Sequence, residues 1–176
     1  DYFFAKSLDK IRTNGIIAFI TSKGTMDKMS KEVREYIAKR ADLLGAIRLP
    51  TSAFKKIANT DVTTDIIFLK KRDEIKEELP NWVNSIEYFN DVYINQYFID
   101  NPKMIMGELK ETTNQYGADL EVKLDINELP SKLENVINLL PENVMPENEL
   151  LSETEENANS IPAIEGVKDY SYTIYN

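Results

Sequence analysis

The chain has 176 residues, 42% hydrophobic and 29% charged, a globular composition with room for one domain or one domain plus an appendage. It holds neither cysteine nor histidine, which excludes disulfides, thiolate chemistry, imidazole general-base catalysis and the usual zinc-ligand sets. The net charge of −9 is uneven, since residues 1–74 carry 15 Lys and Arg against 10 acidic residues and residues 75–176 carry 6 against 20, so the two parts are expected to have different surroundings.

The chain opens inside an apolar pattern, Asp1-Tyr2-Phe3-Phe4-Ala5, without a starting Met, and reads as a fragment. Tyr2, Phe4, Ala5 and Leu8 fall at helical spacing, which predicts an amphipathic helix over 2–13 that Asn14-Gly15 ends. Ile16 to Ile20 is a short β-branched run, expected to be a strand buried on both faces, as in a parallel sheet. Ser30 is a candidate N-cap for a helix over 30–41 that presents Val33, Tyr36, Ile37 and Arg40 or Ala41. The next strands are expected at 43–49, stopped by Pro50, and at 62–70. Helices alternating with apolar strands imply an α/β fold with a mainly parallel sheet.

Beyond residue 73 the pattern weakens. Residues 73–79 form a charged, helix-capable link ended by Pro80. The aromatic and methionine residues of 82–106 are read as a small core rather than a base-stacking platform. Leu120 to Leu124 alternates like an exposed strand, and Leu133, Val136, Ile137 and Leu140 sit at helical spacing. Residues 141–166 are rich in Pro, Glu, Asn and Ser and carry no Lys or Arg, which predicts a flexible linker, and 167–176 is β-prone. The expected organisation is 1–74, an acidic accessory region over 75–140, the linker, and the start of a further segment. No apolar run approaches the roughly 20 residues that span a bilayer. No signal peptide is visible, so no membrane partner and a cytoplasmic location are expected.

No catalytic motif is present by inspection: no Walker loop, no GxGxxG, no HExxH and no EF-hand loop. No catalytic residue and no metal ligand is assigned. What the motifs leave open, a likeness addresses. Tyr2-Phe3-Phe4-Ala5-Lys6-Ser7-Leu8-Asp9, the run Asn14 to Ser22, Ile47-Arg48-Leu49-Pro50-Thr51-Ser52-Ala53-Phe54, Asn59-Thr60-Asp61-Val62 and Thr64-Asp65-Ile66-Ile67-Phe68-Leu69 carry it. Together they resemble the second half of class I methyltransferase domains that act on adenine in DNA. The form they resemble is the methylase portion of very large helicase–methylase proteins of phages and conjugative elements. The likeness covers residues 1–72, with a lesser continuation in Tyr97-Phe98 and in Asn101 to Glu108.

The resemblance implies an α/β fold. The sheet would be a partial Rossmann-like methyltransferase sheet of the last three strands, with the strand at 62–70 antiparallel and inserted between the other two. A small, acidic, irregular α+β region would follow. It implies S-adenosylmethionine as methyl donor of the intact parent and none for this part alone, because the glycine-bearing donor motif and the Asn-Pro-Pro-aromatic motif of the family are both missing. It implies as partners DNA, the remainder of the methyltransferase domain and a helicase-like part of the same protein.

Three residues are candidates for the substrate side. Phe54 matches the aromatic that replaces the stacking of an extruded adenine in the family, the alternative being a loop phenylalanine tucked into the core. Ser22 and Lys23 follow the strand at 16–21, whose carboxyl end would face the substrate cleft. Lys23 either contacts a phosphate or belongs to a solvated turn. Arg48 is read as structural, and Lys70-Lys71-Arg72 as a solvated strand end. The rival reading is non-catalytic: an interaction or linker module of a large helicase–methylase protein.

Overall fold

The chain divides into two compact units, residues 1–144 and 145–176, and the computed structural model describes residues 2–144. Most of the predicted linker and the β-prone segment at 167–176 lie outside the described residues. The described part is mixed α/β, and all its strand pairings within sheets are antiparallel.

Helix α1, Tyr2–Lys10, buries Phe4 and Leu8, one turn apart, and leaves Tyr2 and Phe3 exposed. It stops short of the predicted residue 13. Asn14 takes a left-handed conformation, φ 62°, to reverse the chain. A side chain at Gly15 would collide with Ile11, so only glycine lets strand β1, Ile16–Ser22, start this close to the helix. A four-residue helix α2, Gly24–Asp27, and helix α3, Glu32–Arg40, lead to β2, Ala41–Arg48. Ser30 does not cap α3. Lys31 stands at that position, and no side chain caps the helix start. Of the expected stripe, Ile37 and Ala41 are buried and Val33 and Tyr36 pack against the core, and the helix buries Arg34 and Ala38 as well. Arg34 is turned inward because its guanidinium donates to the Thr25, Lys28 and Val83 carbonyls. A short helix α4, Lys55–Ala58, lies in the loop before β3, Thr64–Lys71.

These three strands form one sheet in the order β1-β3-β2. β3 runs antiparallel to both neighbours, with Ile20 and Ile47 each opposite Ile66 and Arg48 opposite Asp65. The reversed middle strand agrees with the expected order, while the expectation of mainly parallel neighbours is corrected. β1 is not buried on both faces either: Ile17 is buried, but Ala18 is exposed and Ile20 is 57% exposed. A continuous apolar run cannot by itself distinguish a central strand from one that is covered on one face.

Residues 73–79 form no helix. Lys76 N–H donates to Lys39 O, and Lys39 pairs with Glu77 at 2.5 Å, so the segment is strapped along the end of α3. A hairpin follows, β4 Ser85–Phe89 and β5 Val92–Asn95, with Asn90 and Asp91 both at positive φ in its turn. Then come helix α5, Gln96–Asp100, and a second hairpin, β6 Glu108–Asn114 with β7 Gly117–Lys123. Helix α6, Leu129–Ile137, closes the described part. β7 is not an exposed strand: Leu120 and Val122 are buried. The aromatic region is a core, as expected, but Trp82, Phe98, Met104 and Met106 belong to the same apolar cluster as Phe4, Ile47 and Leu69 of the sheet. Tyr88 stays exposed. At Gly45 in β2 the end of the Leu140 side chain, beyond α6, fills the place a side chain would take. No helix among the described residues is long and apolar enough to cross a membrane.

Among the described residues β1 has a strand partner on one side only. An open edge beside exposed Ile20, Tyr2 and Phe3 favours pairing with another chain. Light scattering on the 176-residue chain should therefore report species heavier than the monomer at high concentration. Ile20→Lys should shift the distribution toward monomer; a wild-type chain that stays monomeric would defeat this expectation.

Candidate functional site

The site is built on one buried cation. Arg48, at the end of β2, is 0% exposed, and its register partner Asp65 is also 0% exposed. The guanidinium donates through Nε and Nη2 to Asp65 Oδ1 and Oδ2, at 2.8 and 2.9 Å, a bidentate pair. Nη2 also reaches Asp27 Oδ1 at 2.9 Å, and the guanidinium carbon lies 4.1 Å from the centre of the Phe98 ring. Arg48 Nη1 and Asp27 Oδ2 are buried without a hydrogen-bond partner among the described residues. Burial works against the charge on Arg48, but Asp65 and Asp27 outweigh it and hold the group firmly protonated. Burial pushes the Asp65 carboxyl up, and Arg48 pulls it back only in part.

Asp27 carries the network outward. Its Oδ1 accepts the backbone N–H of Asn95, whose side chain donates to the Met26 and Trp82 carbonyls. The buried polar set thus locks α2 and the β4–β5 hairpin to the sheet. Sequence reading left Asp27, Asp65, Asn95 and Arg34 unassigned. A signal was available for Asp65, which like Arg48 is a charge beside an apolar run, and buried charges must be paired.

This network lies beneath the edge where β1 and β2 end and β3 begins. There Lys23 N–H donates to Thr63 O, and Leu49 N–H to Thr64 O. Thr51 faces Thr63 through their hydroxyls at 2.8 Å. Thr51 also docks the β6–β7 hairpin: its N–H donates to Val122 O, and its Oγ1 accepts from Val122 N–H at 2.9 Å. Lys23 Nζ bonds Asp119 and the Leu120 carbonyl of the same hairpin. Burial would raise the Asp119 carboxyl, but the bond from Lys23 holds it below its ordinary value. A cleft of about 540 Å³ lies between the β2–β3 loop and β7, lined by Thr51, Ser52, Lys55, Asp61 and residues 121–125.

The three candidates are placed as follows. Lys23 is at the expected strand end, but its charge is engaged by Asp119, so it is part of the hairpin anchor. Ser22 is exposed and pairs with Thr64 at the last rung of β1. Phe54 is half-buried at the start of α4, packed against the apolar cluster, and it does not line the cleft. Thr51 of the loop and Lys23 therefore meet the same hairpin. Of the basic run, Lys71 Nζ donates to Ile11 O, and Arg72 pairs with Asp42 and donates to the Ala38 carbonyl, so these two are built into the fold.

Arg48→Met would strand two buried carboxylates. Removing one member of a buried pair costs about 3–5 kcal/mol, and chemical denaturation should show a loss of that order. Without the cation, burial alone holds the Asp65 carboxyl above its ordinary value in the folded state, so protonation relieves the penalty. The deficit relative to wild type should grow as pH rises from the ordinary carboxylate range through the raised folded-state value, and shrink as pH falls back through it. A pH-independent deficit would contradict this.

No family model matches the chain, and no solved structure matches it. It is similar to the "Defense against restriction protein B" of Escherichia phage P1, with 30% identity over 80 residues. The match covers 45% of this chain and 4% of that protein. The chain thus has a distant, partial similarity to a phage anti-restriction protein, of which it spans a small fraction.

Proposed function

We propose that the chain is the substrate-side part of a DNA adenine-N6 methyltransferase that works inside a much larger protein. The observation that carries this reading is the strand order β1-β3-β2 with the middle strand reversed. It is the order that the resemblance of residues 1–72 implies for the last three strands of a Rossmann-like methyltransferase sheet. The similarity to a phage protein named for defence against restriction supports it, since methylating adenine is one chemical way to shield a DNA site from a nuclease.

On this reading the carboxyl ends of β1 and β2 face the DNA, as ligands do in open α/β sheets. An adenine must leave the duplex before its amino group can react, and it then needs an apolar face to replace the lost stacking. Phe54, in the loop that leads from β2 to β3, supplies that face. It is partly buried and packs against the apolar cluster, so part of it stays accessible. Ser22 would lie beside the cleft, and Lys23 would hold its wall.

The described residues do not fit S-adenosylmethionine. Gly15, Gly45 and Gly107 make room for Ile11, Leu140 and the Lys123 main chain, so none of them frames a cradle for a ligand. The donor site and the clamp that activates the amino nitrogen belong, on this reading, to the rest of the methyltransferase domain. Methyl transfer is therefore assigned to the complete protein and not to this part.

The test uses the full-length protein that carries this chain, incubated with S-adenosylmethionine and duplex DNA, with N6-methyladenine read by mass spectrometry. Phe54→Ala should lower the methylation rate roughly tenfold to a hundredfold, the equivalent of about 1–3 kcal/mol of lost stacking. Phe54→Trp should retain most of the rate, and affinity for the donor should hardly change. The absence of N6-methyladenine would overturn the reading. A Phe54→Ala protein that methylates normally but melts earlier would return Phe54 to the core.

A further inference from the structure

The β6–β7 hairpin combines an anchored stem with a bare aromatic tip. The stem is held by the two Thr51–Val122 hydrogen bonds, by Lys23 on Asp119 and Leu120, and by the burial of Leu120 and Val122. Gly107 lies so close to the Lys123 carbonyl that a side chain there would collide with it. The tip lies three residues beyond Leu120, which at the rise of a strand is about 10 Å. It is closed by the Asn114–Gly117 pair and is locally ordered. Asn114 accepts the N–H of Tyr116 and donates to Asp119, and Gly117 adopts φ 121°. This order presents Tyr116 to solvent, 89% exposed. A tyrosine so placed contributes nothing to the core, and a prearranged tip loses little entropy on binding.

The charge pattern narrows the partner. From Thr112 to Ala118 no side chain is charged, and threonine, asparagine, glutamine and tyrosine offer hydrogen-bond donors and one ring face. In the stem, Glu108, Glu121 and Asp119 pair with Lys110, Lys123 and Lys23, which covers three of the hairpin's four carboxylates. The charges of the hairpin are thus confined to its stem, and an uncharged polar tip with an aromatic suits base edges and base steps.

We propose that the β6–β7 hairpin is a DNA-contacting finger whose Tyr116 stacks on or wedges between bases beside the site. The proposal rests on the reading that the adjoining sheet edge faces DNA. Because it is anchored on Thr51 and Lys23, the finger couples duplex engagement to the loop that carries Phe54.

Stacking is tolerant of sequence, so a pool of fluorescein-labelled random duplexes is a sufficient probe. Anisotropy is measured at fixed salt on the full-length protein carrying this chain, as wild type, Tyr116→Ala and Tyr116→Trp, alongside N6-methyladenine formation. Tyr116→Ala should weaken duplex binding by about tenfold or more, Tyr116→Trp should keep it, and the melting temperature should not move, because the ring is almost fully exposed. Equal affinity of wild type and Tyr116→Ala overturns the finger, as does a wild type that binds no duplex. A tip needed for a protein partner but not for DNA overturns it too. Duplex binding that depends on Tyr116 without any N6-methyladenine keeps the finger and defeats the methyltransferase reading. Methylation with Tyr116→Ala behaving as wild type does the reverse.

Discussion

The bidentate ion pair between Arg48 and Asp65 is the constraint on which the described structure depends. Both side chains are 0% exposed and stand opposite each other in the β2–β3 register. A slip of one residue would leave a buried guanidinium without its carboxylates, so the pair specifies the register more sharply than the interchangeable Ile and Leu neighbours do. Asp27 shares the same guanidinium, which recruits α2 to the sheet, and through Asn95 it recruits the β4–β5 hairpin. Phe98 lies against the guanidinium, so α5 is drawn in by the same cation. One arginine thereby connects segments more than sixty residues apart.

The second layer of the structure follows from that one. Once β2 and β3 are in register, Thr51 and Thr63 meet across the mouth of the loop between them. Thr51 then offers a main-chain donor and a hydroxyl acceptor to Val122, as a sheet rung would. Lys23 completes the seat by binding Asp119 and the Leu120 carbonyl. A loop that would otherwise be mobile is held between the sheet and β7, and the 540 Å³ cleft is the space left between them. The contacts of this seat are polar and join three distant stretches of chain.

Much of the first seventy residues was legible in the chain. Apolar runs at 16–20, 43–49 and 62–70 marked strands because they are short and bounded by turn residues or charges. Boundaries were read less well: α1 ends at Lys10, and α3 begins at Glu32 without the serine cap. Strand β6 was missed because Glu-Leu-Lys-Glu-Thr-Thr-Asn has no apolar alternation; it exists because β7 pairs with it and buries Leu120 and Val122 on the other side. At the candidate site, Lys23 and Phe54 were visible as residue types at strand ends, but the ion pair from Lys23 to Asp119 was not. That pair spans 96 positions, and no local pattern encodes it.

Local preferences set the longer helices and the three strands of the first seventy residues, the absence of cysteine and histidine chemistry, and the reversal of the chain at Asn14-Gly15. These follow from backbone preference and from the side chains available, which act over a few residues. Only the folded chain shows that the two hairpins beyond residue 80 form and that Arg34 and Arg48 are buried. It also shows that 82–106 shares its core with the sheet and that the β6–β7 hairpin sits on the Thr51 loop. Each of these depends on desolvated charges and hydrogen bonds finding partners far along the chain, and such partners are identified only when the segments are brought together in space.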